Sequence, residues 1–292
     1  MMQHGELKAP DILSNMISDF WYLEQEFGEM PSAFEVLPDG HAEIIFHFGS
    51  SNGNSNGNSS GSSPASSSGL SRMKDGKLEP LPSPFIVGLL GHTIHFYAQN
   101  KLQIIGIKCF PWAVYDLLNL PSVKGGVHLF EHPIAGLQKP LKELIDKAEV
   151  DAALKLLSDW VVNSQSALVS PQELAKAGMA MLNSNGNLPV TSLAEAAHAT
   201  VRTLERKFKV SSGNTLKNVS GLMRFENARD RLWSVPDTPM AGLAHELGYA
   251  DQSHLNRDFK RYAGMTAAAF AKLTQARKNS FGDDFVAIVL SS

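Results

Sequence analysis

The sequence predicts an α+β protein with two domains: an N-terminal β-rich, barrel-like domain with helices, and a C-terminal all-α domain. Strand-like alternation occurs before residue 110, whereas residues 188–278 carry helical periodicity. The balance of acidic and basic residues also differs between the two regions. Residues 1–186 contain 12 Lys and Arg against 19 Asp and Glu, and residues 187–278 contain 14 against 8. A chain of 292 residues is long enough for two separate cores.

These patterns predict four segments. They are an N-terminal domain over 1–165, a linker over 166–187, a helical domain over 188–278 and a C-terminal tail over 279–292. Within the first, we expect a disordered insertion over 50–83. Its first twenty residues, Ser50 to Gly69, include nineteen Ser, Asn, Gly or Pro. Such a stretch buries too little apolar surface to offset the entropy lost on ordering.

The N-terminal domain is expected to begin with a short helix followed by strands. His41 to Phe48 alternates, with Ile44, Phe46 and Phe48 on one face. Strand patterning resumes from Phe85 to Phe110. Helices are predicted at Trp112–Leu120, at Ile134–Lys147, from Asp151 to about Val162, and at Pro171–Leu182 with Ser170 as its N-cap. In the tail, the apolar run Phe285 to Leu290 suggests docking elsewhere on the molecule.

The C-terminal domain contains one pattern written twice. LAEAAHATVRTLERKFKVSSGNT begins at Leu193, and LAHELGYADQSHLNRDFKRYAGMT begins at Leu243. The offset is 50 residues in the first half and 51 from Leu204 onward, so the extra residue falls in the turn before the second helix. Each copy predicts a helix, capped in the first copy by Thr191 or Ser192, then a tight turn and a second amphipathic helix. This is the helix-turn-helix unit.

Each second helix has an apolar and a polar face. The stripe expected to face the core is Val201, Leu204 and Phe208 in the first copy, and Leu255, Phe259 and Tyr262 in the second. The opposite faces carry guanidinium, carboxylate and hydroxyl groups, which are suited to contact base edges in a major groove. The alternative is that these charges only solvate a surface helix, with the arginines paired to carboxylates such as Glu205 or Asp258.

The sequence GYADQSHLNRDFKRYAGMT, from Gly248 to Thr266, resembles the signature of the AraC family of bacterial transcription regulators. The upstream LAEAAHATVRTLERKF and the intervening MRFENARDRL are similar to that family's first motif and linker helix. The resemblance departs at His198, Ala267 and Ala271, where the family usually has glycine, proline and arginine. LPDGHAEIIFHF more weakly resembles the start of the β-rich sensor domain of some members.

The resemblance and the residue pattern together predict a sequence-specific DNA-binding transcription regulator. Two recognition helices on a rigid linker helix, Thr215 to Trp233, would enter successive major-groove segments about 34 Å apart. The candidate DNA-binding residues are Arg202, Thr203, Glu205, Arg206, Lys217, Ser253, His254, Arg257, Lys260 and Arg261. Of these, Arg206 and Arg257 are repeat-equivalent candidates for guanine, and Lys217, Lys260 and Arg261 for phosphates.

The expected partner is therefore double-stranded DNA. The N-terminal domain is expected to modulate DNA binding through a small-molecule effector or a homodimer, and an activator would also contact RNA polymerase. The alternative is a small-molecule binder or enzyme in the N-terminal β-domain, with an appended DNA-binding module. The absence of an apolar run of about 18 residues or a signal peptide predicts a cytoplasmic protein, associated with the nucleoid when bound to DNA and not with a membrane.

No catalytic, cofactor or metal site is predicted. The single cysteine, Cys109, excludes an internal disulfide and is interpreted as a buried small hydrophobe. Among the histidines, His92 and His95 would face opposite sides of a strand. His41 and His47 would share a face about 20 Å apart. We therefore expect these histidines at the surface or on a pocket wall, without a metal.

Overall fold

The computed structural model describes residues 2–49, 69–164, 172–281 and 288–290. Its N-terminal part is built from two antiparallel sheets. The strands are β1 (Met2–Lys8), β2 (Ile17–Glu26), β3 (Ser32–Val36), β4 (Ala42–Gly49), β5 (Ser71–Lys74), β6 (Lys77–Pro80), β7 (Phe85–Val87), β8 (Ile94–Ala98), β9 (Lys101–Cys109), β10 (Val127–His128) and β11 (Ile288–Leu290). The first sheet has the order β1-β2-β9-β4-β7-β10, and the second β11-β3-β8-β5-β6.

Two apolar cores result from this arrangement because the inner strands of the first sheet, β2, β9, β4 and β7, are largely buried on both faces. In β4, Ile44, Phe46 and Phe48 point to a core shared with the helices. Its neighbour Ile45 joins a second cluster, which also contains Phe34 of β3 and Phe96 of β8 and so lies between the two sheets. The predicted one-residue alternation of β4 is thus confirmed, and its second face carries Ile45 between the polar residues Glu43 and His47.

The predicted disordered insertion is wrong for its second half. Residues 70–83 include the hairpin β5–β6, closed by Asp75 and Gly76 at φ 51° and 75°. Asp-Gly between two short runs favours a hairpin turn, because both positions tolerate positive φ. Leu70 and Leu81 at the ends of the hairpin are buried, which anchors it to the sheets. The remaining part of the prediction, residues 50–68, lies outside the described residues.

The N-terminal region also departs from the expected start. The chain opens with strand β1, and only one turn of 3-10 helix, Asp11–Leu13, separates β1 from β2. Helices follow the sheets as expected: α1 (Val114–Leu117), a 3-10 turn (Pro133–Leu137), α2 (Gln138–Asp146), α3 (Val150–Ser164) and α4 (Gln172–Asn183). The predicted N-cap Ser170 lies outside the described residues. The expected break after α4 is present, with Asn185 and Gly186 at positive φ.

The C-terminal part is helical. Its elements are α5 (Val190–Ala196), α6 (Val201–Ser212), α7 (Leu216–Ser234), α8 (Met240–Glu246), α9 (Gln252–Ala263) and α10 (Ala267–Phe281). Helix α5 begins two residues earlier than predicted. Pro189 stands at its N-cap position, and Thr191 and Ser192 lie inside the helix, so the expected cap is wrong. Among the described residues, no helix has the length and apolarity needed to cross a bilayer.

The C-terminal tail returns to the N-terminal sheets. Strand β11, Ile288–Leu290, pairs antiparallel with β3, with Val289 opposite Glu35. The expected docking of the apolar run is therefore observed for its last three residues, while 285–287 lie outside the described residues.

The two parts share one continuous core. Trp112, just after β9, is fully buried and stacks on Phe110 with ring centroids 5.0 Å apart. Its ring also lies 6.2 Å from the ring of Phe208 of α6, between centroids. Because α6 is the second helix of the first repeat, this packing joins the helical repeat directly to the N-terminal domain.

Candidate nucleic-acid interface

The two sequence repeats fold into two matching helix pairs, α5–α6 and α8–α9. The second helix of each pair spans twelve residues, and the same offset of 51 separates both their first and their last residues. Thr200 accepts a hydrogen bond from the Thr203 amide at 3.2 Å, and Asp251 accepts one from the His254 amide at 2.7 Å. Both helices end at a left-handed glycine. Equivalent caps therefore start and stop both helices.

The turn between the paired helices contains His198 in the first pair and Gly248 in the second, and His198 is a position where the sequence departs from the family pattern. His198 has φ 51° and Gly248 has φ 73°, so both adopt the left-handed conformation. A non-glycine residue tolerates this region at a modest cost. The extra residue of the second copy lies between Gly248 and the cap Asp251, as predicted. Ala267, where proline is usual, donates its amide to Asn256 Oδ1 at 3.1 Å, a hydrogen bond that proline could not make.

Helix α7 joins the pairs through a buried face. This face is formed by the buried residues Leu216, Val219, Leu222, Met223, Phe225, Ala228 and Leu232. Phe225 contacts both Phe259 and Tyr262 of α9, with each pair of ring centroids 5.0 Å apart. The second helix pair is thereby fixed to α7.

The polar faces of α6 and α9 lie at the surface. Eight predicted DNA-binding residues are exposed: Arg202, Glu205, Arg206, Lys217, Ser253, Arg257, Lys260 and Arg261. Thr203 and His254 are only partly exposed, because their amides belong to the two helix caps. The His254 ring also packs edge-on against Tyr249, at 5.3 Å between centroids. The expected inner stripe is buried except for Val201, which is 36% exposed because it occupies the first turn of α6.

The two repeat-equivalent arginines do not form the surface ion pairs considered above. Among the described residues, neither Arg206 nor Arg257 has a carboxylate oxygen within 4.0 Å. Arg257 donates only to the Ser253 carbonyl, at 3.4 Å. Arg261 lies over the ring of its neighbour Tyr262, at 5.0 Å. The guanidinium groups of Arg206 and Arg257 are therefore available to a ligand.

The N-terminal domain holds the far ends of both exposed helices. At the end of α6, the Val210 carbonyl accepts a hydrogen bond from Ser122 Oγ, and Ser211 Oγ donates to the Trp112 carbonyl. At the end of α9, Thr93 Oγ1 donates to the Tyr262 carbonyl at 3.0 Å. These contacts join residues 88–169 positions apart, so no local sequence signal identifies them.

The four histidines predicted on strands occupy different environments, and His41 and His92 lie just before β4 and β8 rather than within them. His47 is buried, whereas His92 and His95 are exposed. His41 was predicted at the surface or on a pocket wall. It lies instead between Asp39 and Glu226, with Nδ1 at 3.9 Å and 3.6 Å from their nearest oxygens. Cys109 is buried, and this burial raises the pKa of its thiol, which confirms the interpretation as a small core residue.

A cavity between the two sheets has an apolar body and a charged end. Trp21, Phe34, Phe85 and Phe96 contribute to the apolar wall. Asp19, Glu43 and Lys108 form the charged end. Burial and the neighbouring Asp39 raise the pKa of Glu43 to about 8. Burial alone would lower the pKa of Lys108, but the surrounding carboxylates, Asp39 first, outweigh it and raise that pKa.

Comparison with known proteins agrees with this geometry. Residues 193–273 match a family model described as a helix-turn-helix domain, which spans both helix pairs and α7. Residues 6–124 match a model described as a domain of unknown function, DUF6597. No curated protein matches the sequence significantly. The fold and the family match show that residues 193–273 form a helix-turn-helix domain. The resemblance to the AraC family found in the sequence lies within the same residues.

Three solved structures are among those that match this chain in part or over most of its length. ToxT from Vibrio cholerae is 10% identical, with a TM-score of 0.45, over 87% of this chain and 98% of that one. The DNA-binding domain of AdpA in complex with a target DNA is 24% identical, with a TM-score of 0.34, over 37% and 98%. The C-terminal domain of AraT from Geobacillus stearothermophilus is 22% identical, with a TM-score of 0.33, over 35% and 84%.

Proposed function

We propose that α6 and α9 are two recognition helices that contact successive major-groove segments of one DNA duplex. The observation that carries this proposal is their equivalence. Both span twelve residues, have side-chain N-caps, and expose an arginine at the same position, Arg206 or Arg257. A single chain then contacts two half-sites, as a dimer of single-motif proteins does.

The arginines are assigned to base contacts and the lysines to phosphates. Arg206 and Arg257 each lie two residues after a buried leucine and two before a buried phenylalanine, near the middle of an exposed helix face. A guanidinium held there presents two parallel donors suited to guanine O6 and N7. Lys217 is exposed in the first turn of α7, where an ammonium group at the edge of the interface contacts a phosphate without selecting a sequence.

The decisive experiment compares specific and scrambled duplexes. A binding site is first selected from random duplexes with the full chain, and affinities are then measured by fluorescence anisotropy. Arg206→Ala and Arg257→Ala should each weaken the specific complex by about 1–3 kcal/mol and relax preference at one base position. Lys217→Ala should weaken both duplexes about equally and reduce the salt slope by about one phosphate.

A matched control distinguishes base contacts from a general loss of positive charge. Arg231 on α7 is also exposed, and it faces Glu246 at 3.8 Å. Arg231→Ala should leave the preference for the specific duplex unchanged. If both recognition-helix variants lose the same affinity for the specific and the scrambled duplex, neither arginine selects sequence and the assignment is wrong.

We further infer that the N-terminal domain modulates DNA binding by setting the orientation of the two recognition helices. Its support is the set of hydrogen bonds from Ser122, Ser211 and Thr93 at the ends of α6 and α9. A rearrangement of the N-terminal domain would move both ends, and a bound duplex would oppose it by the same coupling free energy.

The cavity between the sheets is the candidate site for a small-molecule effector. Its apolar wall, with charged groups that include Asp19, Glu43 and Lys108, suits a molecule with an apolar body and a polar group. The same cavity supports the second candidate function, a small-molecule binder to which the DNA-binding domain is attached. DNA affinity measured with and without a ligand found for the cavity separates the two, because only an effector changes it. The homodimer and the contact with RNA polymerase stay predictions.

A further inference from the structure

A cluster of charged side chains joins the N-terminal domain to the middle of helix α7. Asp39 and His41, in the turn before β4, approach Glu226 of α7 from the opposite side of the domain interface. Each of the three residues has one atom that could bind a metal ion, and these three atoms lie within 4.8 Å of one another. The three residues therefore converge on a common point between the domains.

The backbone orients both carboxylates toward His41. Asp39 Oδ1 accepts the amide of His41 at 3.0 Å, and Glu226 Oε2 accepts the amide of Gly40 at 2.9 Å. Each carboxylate then has its second oxygen, Asp39 Oδ2 or Glu226 Oε1, directed at Nδ1 of His41. Gly40 permits this close approach, because a Cβ there would lie 2.7 Å from Glu226 Oε2 and the carboxylate would have to shift. Such secondary hydrogen bonds are what hold metal ligands in position.

The distances match shared coordination better than hydrogen bonding. His41 Nδ1 is 3.6 Å from Glu226 Oε1 and 3.9 Å from Asp39 Oδ2, beyond the usual hydrogen-bond length. Ligands about 2.0–2.2 Å from one ion lie roughly 3–4 Å from each other. The His41 side chain is only 11% exposed. Within the described part of the chain its Nδ1 is buried without a hydrogen-bond partner.

Acidic groups outnumber basic groups around the cluster. The carboxyl groups are those of Asp19, Asp39, Glu43, Glu226 and Asp230, and the cations are Lys108 and Arg229. Lys108 Nζ lies 3.4 Å from Asp39 Oδ2, and Arg229 Nη2 lies 3.7 Å from Glu226 Oε1. Both cations therefore stand beside the same oxygens that face Nδ1 of His41, and a bound ion would share these oxygens with them.

We propose that Asp39, His41 and Glu226 bind one divalent first-row transition-metal ion, which ties the N-terminal domain to α7. One imidazole nitrogen with two carboxylate oxygens is a ligand set that suits Zn²⁺ or Mn²⁺ better than Mg²⁺ or Ca²⁺, which prefer oxygen alone. The binding itself does not depend on the proposed DNA contacts. An effect of the ion on DNA affinity would rest on them, through the attachment of α7 to both recognition helices.

The test measures metal binding by the full chain, without DNA. After treatment with a chelator and dialysis, the protein is titrated with Zn²⁺ by calorimetry and with Co²⁺ by visible absorption. We expect one ion per chain, a Co²⁺ spectrum typical of nitrogen and oxygen ligands, and a melting temperature that rises with Zn²⁺. Mg²⁺ at the same concentration should leave the melting temperature unchanged.

Variants assign the ligands. Glu226→Gln and His41→Asn should each weaken Zn²⁺ binding at least about tenfold and abolish the rise in melting temperature. Asp39→Asn provides a third variant if either of these fails to fold by circular dichroism. The control is His95→Asn, because His95 is an exposed histidine 3.4 Å from Glu35 and offers an adventitious surface site. It should bind Zn²⁺ as the unaltered chain does.

Two results would overturn the proposal. One is a folded, unaltered chain that binds neither Zn²⁺ nor Co²⁺ stoichiometrically, since the three side chains would then hold no ion. The other is binding that survives in Glu226→Gln and His41→Asn but disappears in His95→Asn, which would assign the ion to the surface pair. Neither result depends on DNA, so both are distinguishable from a failure of the recognition-helix assignment.

Discussion

Burial of His47 should make the stability of this protein fall between about pH 6.5 and pH 4. The side chain is 8% exposed and lies between the two sheets. Its Nδ1 accepts the Leu70 amide at 3.1 Å, and its Nε2 faces the Leu81 carbonyl at 3.1 Å, so the ring is neutral with its proton on Nε2. A second proton on Nδ1 would place the ring N–H against the Leu70 N–H, so that two donors would face each other. His47 thus ties β4 to both ends of the β5–β6 hairpin in one protonation state.

The magnitude follows from the pKa. Burial lowers the pKa of His47 from 6.5 to about 4. Below pH 6.5 the unfolded chain takes up a proton that the folded chain refuses, so stability present above pH 6.5 is lost as the pH falls toward 4. At roughly 1.4 kcal/mol per pKa unit, the loss amounts to about 3 kcal/mol.

Urea unfolding at several pH values between about 7.5 and 4.5 measures this contribution. His47→Gln should be less stable at neutral pH, yet it should lose about 3 kcal/mol less than the unaltered chain on acidification. His92→Gln, which changes an exposed histidine, should follow the unaltered chain. An NMR titration of the His47 ring gives the pKa directly. A ring that titrates near 6.5, or an unchanged pH dependence in His47→Gln, would refute the reasoning.

Two further predictions concern the insertion and the domain interface. Replacing residues 50–68 by a short Gly-Ser join should leave the melting temperature within a few degrees, since loop length adds little closure entropy; a cooperative loss of structure would contradict this. Trp112→Ala should reduce the free energy of unfolding by about 3–5 kcal/mol, because its ring is fully buried against Phe110 and Phe208. Trp112→Ala should also change the affinity for DNA, whereas Trp160→Ala, which alters a partly exposed tryptophan, should not. If Trp112→Ala leaves the affinity for DNA unchanged, modulation through α6 is contradicted.

The C-terminal domain could be predicted from the sequence because its signals are local. A helix, its cap and its buried stripe depend on residues three or four positions apart. Because the pattern occurs twice in the sequence, each of these signals is present in two copies. The errors of prediction in this domain also have local causes. Pro189 displaced Thr191 and Ser192 from the N-cap of α5, and the first turn left Val201 exposed. In the N-terminal domain, the Asp75-Gly76 turn was a hairpin signal within a segment predicted to be disordered.

Tertiary structure decided everything that depends on pairing across the chain. Glu226 hydrogen-bonds to Gly40 across 186 residues, and Tyr262 to Thr93 across 169. Composition and periodicity carry no information about such partners, because each residue has ordinary neighbours in sequence. The sequence by itself determined that two helix-turn-helix units exist and which of their faces are polar. Only the folded chain brought the N-terminal domain to the ends of both α6 and α9, and His41 to a point between two carboxylates from different domains.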